Sequence, residues 1–373
     1  MDGFQTVPVQ ILGDGSILNL APYRNMYSPY SRVHEVGPAV SGEDVLVDTY
    51  YGLAYDRWIQ DGGAPYGVTD MIPAEPLDEF ATGFLRVPFA RIPCFNVSDL
   101  TSLSVMLDRI RQIDPGLKLL FRGQTGEYTL GRNAETLQLL YGAEVREPSL
   151  LPSAERRNIN IDAVGPTWCG FLRFVLDTWA TRRDDKKQFE RIHKFGEHYL
   201  FHRFALAIAK HYGLPSSGLD VTDSLEVALF FALHEFSHDA IDPSRVICSR
   251  VTQGGAAPVL YIFGMEMDQD FLRFESELLG ELPATRPARQ SAYFLSRGWG
   301  MARNVAAESL LASFNIDPAG DYGPLPDVGA LFPKSDPFGA AIDGGKRFLG
   351  EELPEVYRFL KDFAWVQSST SPL

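Results

Sequence analysis

The pattern of apolar and polar positions divides the chain unevenly. Before Ser102 no helix-length apolar periodicity appears. Short β-like patches such as Val45–Val47 and Thr49–Tyr51 sit among Gly, Pro, Asp and Tyr, so residues 1–100 read as an irregular, β-leaning N-terminal module. From Val97 to Ile113 the spacing turns helical. Ser98 or Asp99 can cap a helix whose apolar face is Leu103, Val105, Met106 and Ile110. Leu119, Leu120 and Phe121 read as a buried strand running into a turn at Gly123. A long helical region is expected over about 168–194, with Phe171, Leu172, Val175 and Trp179 on one face and Phe189, Ile192 and Phe195 continuing the spacing. Residues 203–212 predict a third helix, stopped by Gly213 and Pro215. A fourth starts near Thr222 or Asp223, with Glu226 as a capping-box partner, and runs through LEVALFFALHEFSH. Ala257–Phe263 predict a strand, AAESLLASF (306–314) a helix, 317–345 a Pro/Gly-rich loop, and EELPEVYRFLKDFAWV a closing helix.

These elements predict an α+β fold: a small mixed or split β-core with helices inserted around it, behind the β-leaning module of residues 1–100. Residues 101–300 form the core domain, and 301–373 wrap back over it as loop and helix.

Composition narrows the function classes. The 373 residues are 45% hydrophobic and 22% charged, ordinary globular usage that excludes disordered, collagenous and repeat-array chains. No apolar run approaches the roughly 18 residues of a membrane span, and the N-terminus lacks a basic and apolar leader. Three scattered cysteines, Cys94, Cys169 and Cys248, form neither metal spacing nor a disulfide framework, which fits a reducing cytoplasm. The net charge of −14 disfavours general nucleic-acid binding. Residues 1–100 carry five arginines, no lysine and thirteen carboxylates, net −8. Only 155–210, with eleven basic and seven acidic residues, is locally basic enough to meet a phosphate ligand.

Three stretches could carry chemistry. In Phe121–Arg122–Gly123–Gln124, an arginine at a strand end followed by glycine can present its guanidinium to a phosphate pair. Alone, the string also describes a surface arginine in a turn. In His211–Tyr212 and Leu219–Asp220–Val221–Thr222, Asp220 and Thr222 alternate around one extended residue, so both can point to one side and hold ribose hydroxyls. Simple capping by Thr222 or Asp223 is the plainer reading. His234–Glu235–Phe236–Ser237–His238 matches H-E-x-x-H: on a helix, two histidines four apart can share a zinc ion, with the glutamate polarising a water. Against zinc, no third ligand stands out, and helix-end histidines commonly serve terminal carbonyls. His193, His198 and His202 read as surface or half-buried histidines.

The order of FRGQ, EPSLLPS (147–153), AKHYGLP (209–215), LDVT and VALFFA resembles the FRG domain, a family of bacterial and phage proteins, over roughly residues 100–300. Two positions depart from the family pattern: Ser216–Ser217–Gly218 replaces an arginine-containing stretch, and Val221 replaces a tryptophan. The family's late arginine–glutamine–aromatic segment looks like Arg286 or Arg289, Gln290 and Tyr293–Phe294. The pattern is in turn similar to ADP-ribosyltransferases with an arginine on the first core strand. That resemblance implies an ADP-ribosyltransferase-like fold, with an NAD-like dinucleotide as cofactor and partner. Phe121, Arg122, Gly123, Gln124, His211 and Tyr212 would be its binding residues. Arg122, Asp220, Thr222 and Gln290 would be the catalytic set, and the acceptor is left open. Gln290 falls where those enzymes carry a glutamate. Glu281 and Glu308 lie nearby outside any motif, so Asp220 is the candidate for the carboxylate. The implied setting is a cytoplasmic effector, toxin-like, in bacterial stress or phage defence. The open alternatives are a zinc hydrolase using His234, Glu235 and His238, and a non-catalytic nucleotide-sensing or protein-interaction module.

Overall fold

The computed structural model describes residues 8–11, 17–19, 45–48, 53–56, 77–87, 90–113, 115–130, 145–153, 161–181, 201–213, 218–238, 246–252, 256–265, 271–273, 285–295 and 309–355, with the single positions 190, 194, 197, 216 and 358. Within residues 1–76 these are four short strands: β1 (Pro8–Ile11) pairs with β2 (Ile17–Asn19), and β3 (Val45–Asp48) with β4 (Leu53–Asp56), both antiparallel.

The centre of the molecule is one mixed sheet of eight strands. In chain order they are β5 (Gly83–Val87), β6 (Ala90–Asp99), β7 (Lys118–Gln124), β8 (Leu219–Thr222), β11 (Val259–Met265), β12 (Phe271–Arg273), β13 (Ala292–Leu295) and β14 (Leu310–Asp321). Their spatial order is β12-β13-β8-β7-β11-β14-β6-β5. Every neighbouring pair is antiparallel except β14 and β6, which run parallel. A separate ribbon joins β9 (His234–His238) to β10 (Val246–Arg250). The sheet draws strands from all three expected segments, 1–100, 101–300 and 301–373.

Alternation along the central strands produces two cores. Phe121, Leu260, Ile262, Ala312 and Phe314 face two helices, α1 (Leu100–Ile113) and α4 (Leu225–Leu233), meeting Leu103, Leu107 and Ile110 of α1. Leu120, Val221, Val259, Tyr261, Phe263, Tyr293 and Leu295 face the other way, where Leu150 of the EPSLLPS segment joins them. Each Val, Leu, Ile or Phe among them contributes about 1.5–3 kcal/mol on burial. α1 is capped by Asp99, whose carboxylate accepts from Ser102 N at 2.7 Å while Ser102 Oγ accepts from Asp99 N at 3.3 Å. Those bonds hold the Asp99 carboxyl below its usual range. Leu107, rather than the predicted Val105, completes the apolar face; Val105 is 51% exposed.

The remaining helices are α2 (Ile161–Thr181), α3 (Phe201–His211), α4 (Leu225–Leu233), α5 (Arg286–Arg289), α6 (Val328–Leu331) and α7 (Pro337–Glu352). α2 begins seven residues before the predicted start. The later part of that region, including Phe189, Ile192 and Phe195, lies outside the described residues. α3 ends as expected, with Gly213 at φ +82°. α4 is capped by Ser224, not Thr222 or Asp223: Val227 N donates to Ser224 Oγ at 3.2 Å. Beyond Glu226 in its first turn it is apolar, and Val227–Phe230, Ala232 and Leu233 are buried.

Three expectations are corrected. The described part of the stretch expected as a helix over 306–314 is not one: Leu310–Asp321 form β14, held between β11 and β6, where two ladders of main-chain hydrogen bonds outweigh helix propensity. The region 317–345 is not a loop throughout, because it holds the end of β14, α6 and most of α7. The closing helix does not begin at Glu351: α7, which Asp336 caps and Pro337 opens, runs to Glu352, Leu353 interrupts it, and Pro354, Glu355 and Arg358 are helical again.

Candidate functional site

β7 pairs with β11 along its whole length, and β8 pairs with β13 from Leu219 to Thr222. Between β7 and β8 the ladder consists of one residue pair, Phe121 and Thr222. Past that pair the gap is crossed by a side chain: Arg122 Nη1 donates to the main-chain oxygen of Asp220 at 2.5 Å. A cavity of about 400 Å³ opens there. Its walls are Arg122, Gly123, Asp220 and Thr222 from the sheet, Ala228 and Phe231 from α4, Lys210 and His211 from α3, Arg286 and Gln290 around α5, Phe236 from β9, and Phe332 after α6.

Gly123 has a packing role. A β-carbon there would lie 1.8 Å from Ala228 O and 2.6 Å from Ala232 N, so its missing side chain lets α4 rest on β7. Gly123 lies within β7 rather than in the expected turn and seats the helix, with Ala228 and Ala232 as its small counterparts.

Thr222 is buried and fully used. Its hydroxyl donates to Gln290 O at 2.8 Å and accepts from Ser224 N at 3.1 Å. It therefore ties the end of β8 to the segment entering β13. Gln290 follows α5, and Ser291 after it adopts φ +44°, turning the chain into β13. The Gln290 amide is buried and donates to Leu331 O at 3.4 Å.

Asp220 and His211 face each other, with Nε2 to Oδ1 at 3.4 Å. Burial lowers the His211 pKa, against the pull of the Asp220 carboxylate, so the ring is held neutral. Asp220 keeps a partly exposed carboxylate on the cavity wall. The site therefore combines a carboxylate, a neutral imidazole, a buried amide and an arginine across one gap.

Two predicted residues do not reach the cavity walls. Gln124 is the last residue of β7. Tyr212 is buried behind the wall, and its hydroxyl donates to Asp336 Oδ2 at 2.7 Å. Burial and the Asp336 carboxylate push that hydroxyl's pKa up. Phe121, Arg122, Gly123, His211, Asp220, Thr222 and Gln290 are brought together.

An aromatic wall is the main feature the sequence did not reveal. Phe332 meets Phe231 edge-on at 6.0 Å and Phe236 at 5.4 Å. Lys210 and Arg286 add cations. Asp-Pro at 336–337 was a readable helix-start signal, but nothing in the sequence tied it to the cavity.

The H-E-x-x-H reading loses its premise. α4 ends at Leu233, and His234–His238 are extended and paired with β10. At about 3.3 Å per residue, positions four apart in a strand are roughly 13 Å apart, and the intervening glutamate falls on the opposite face. His234 instead serves the helix end: its Nδ1–H donates to Phe230 O at 2.9 Å and its ring stacks on Phe230. No group of three or more metal-ligating side chains occurs among the described residues. Glu281, Glu308, His193 and His198 lie outside them; His202 sits 3.8 Å from Cys169. The cysteines are all free.

A family model for the FRG domain matches residues 118–240, from the start of β7 to just past β9. The chain carries an FRG domain. No curated protein and no solved structure matches the chain. Within the FRG domain lie Arg122, His211, Asp220, Thr222 and α4. Arg286, Gln290 and Phe332 close the cavity from outside the matched span, which is narrower than the 101–300 expected. No helix among the described residues is long and apolar enough to cross a membrane.

Proposed function

We propose that the gap between β7 and β8 binds an NAD-like dinucleotide and that the protein is an ADP-ribosyltransferase-like enzyme of bacterial stress or phage defence. One observation carries this reading: the sheet is open at Arg122, and the guanidinium spans the opening beside Asp220, His211 and Gln290. The residues suit such a ligand. Arg122, Lys210 and Arg286 match a pyrophosphate, the phenylalanine wall matches a planar ring, and about 400 Å³ is within the range of small-molecule sites.

When bound, the dinucleotide supplies a nicotinamide–ribose bond. Nicotinamide leaves with the bonding pair, the acceptor's lone pair forms the new bond to the ribose carbon, and the acceptor's proton is released. Arg122 orients the phosphates. Asp220 supplies the negative charge that stabilises the cationic transition state. It stands in for the glutamate that Gln290 replaces, because an amide carries no charge and accepts no proton. His211, neutral and against Asp220, fixes that carboxylate.

The test follows NAD⁺ and free nicotinamide by NMR. Wild type is expected to release nicotinamide, and Arg122→Ala to do so at least about 100-fold more slowly, in a protein that still folds although Asp220 O loses its donor. Turnover in Arg122→Ala equal to wild type contradicts the assignment. A second reading, a nucleotide-sensing module without turnover, is favoured by the Gln290 amide committed to Leu331 O. It predicts NAD⁺ binding without nicotinamide release.

A further inference from the structure

We propose that Arg286, outside the FRG match, is the residue that recognises a phosphate group on the cavity's ligand, and that the ligand class is a nucleotide di- or pyrophosphate. The inference uses the cavity of the preceding section but does not depend on turnover.

Arg286 opens α5 and is held on several sides. Its guanidinium carbon lies 5.5 Å from the ring centres of both Tyr212 and Phe332. Nη1 donates to His211 O at 2.7 Å, the last carbonyl of α3. Its main-chain N–H donates to Asp336 Oδ2 at 3.0 Å. That carboxylate also takes the Tyr212 hydroxyl and, through Oδ1, Phe338 N and Gly339 N at 3.0 Å each. Asp336 thus joins the end of α3, the start of α5 and the start of α7, with Arg286 at the junction. A side chain whose position is fixed before binding loses little rotamer freedom when it takes a ligand.

Among the described residues Arg286 Nη1 donates to His211 O, and a guanidinium carries five donors. The group lines the cavity with Arg122 and Lys210, three cations against the single carboxylate of Asp220. Burial lowers the Arg286 pKa, a cost of desolvation that an anionic ligand would offset. Asp336 and Asp343 also act on the group; Asp336 is occupied by its four donors. Phe332 is shared: it stacks with Arg286 and forms the aromatic wall, so one ring sits between the phosphate-recognising cation and the apolar end. A base joined to phosphates fits that sequence of surfaces.

The experiment is calorimetric titration of wild type and Arg286→Lys with ADP and, separately, adenosine. Wild type is expected to bind ADP at least about tenfold more tightly than adenosine. Arg286→Lys keeps the charge but loses the planar fork. It should weaken ADP about tenfold while adenosine affinity stays within about twofold. A merely structural role would lower both affinities together, and that result overturns the proposal. Equal affinity of wild type for the two probes, or binding of neither at about 1 mM, overturns it as well. ADP discrimination that is lost in Arg286→Lys, in a protein that never releases nicotinamide from NAD⁺, upholds the proposal and removes the transferase reading.

Discussion

β7 has two neighbours, and they treat it differently. On one side β11 follows it residue for residue from Lys118 to Gln124. On the other, β8 meets it at Phe121–Thr222 and no further, and Arg122 bridges the rest. The closed seam contributes fully buried Leu260, Tyr261, Ile262 and Phe263 to the two cores. The open seam contributes a cavity with charged walls. Main-chain groups in a buried sheet must be satisfied, so a ladder that stops early has to be completed by side chains. Arg122 does this at Asp220 O, and Thr222 does it at Gln290 O. The same residues that close the backbone account line the cavity.

The comparison breaks most severely at Gly123, because both seams depend on β7 being seated under α4. Gly123→Ala drives a methyl group into the Ala228 carbonyl and is expected to cost about 3 kcal/mol or more, measured by urea unfolding. An alanine variant as stable as wild type would show that α4 does not rest on β7.

Gln290→Glu sharpens the open side. A carboxylate at 290 would lose the donor to Leu331 O and face that carbonyl with negative charge. The expected result is a loss of about 1–3 kcal/mol in the same unfolding assay, with no gain in nicotinamide release. A stable variant with faster release would instead make position 290 the true carboxylate site, with Asp220 only a neighbour.

A smaller effect belongs to His211. Its folded pKa lies below the ordinary value of 6.5, so the unfolded chain binds a proton that the folded one does not. Stability is therefore complete above the unfolded pKa and is lost as pH falls through it, continuing down to the folded pKa. Wild type should weaken as pH falls through the ordinary histidine value of 6.5, and His211→Gln should weaken less there. Parallel pH profiles for the two proteins would place the titration elsewhere.

Much of this contrast was legible in the sequence, for identifiable reasons. β7 could be read because Leu119–Phe121 is apolar and ends at Arg-Gly, and α3 because Gly213 marks its stop. Arg122, Asp220, His211 and Gln290 could be assembled because they recur in order in one family pattern. β14 could not be read: LLASF is a short apolar run that helix and strand periodicity share, and only its two neighbours decide it. His234–His238 failed for a related reason, since the helix before it gave no visible stop. The aromatic wall and Asp336 were invisible because their partners lie far along the chain: Phe231 meets Phe332, and Tyr212 meets Asp336.

The most direct test is amide hydrogen exchange with and without NAD⁺, read on both sides of β7. The account predicts slower exchange at 121–124 and 219–222 when NAD⁺ is present, with β11 and β14 unchanged. Unchanged exchange along the open seam at saturating NAD⁺, or protection confined to β9 and β10, would contradict it.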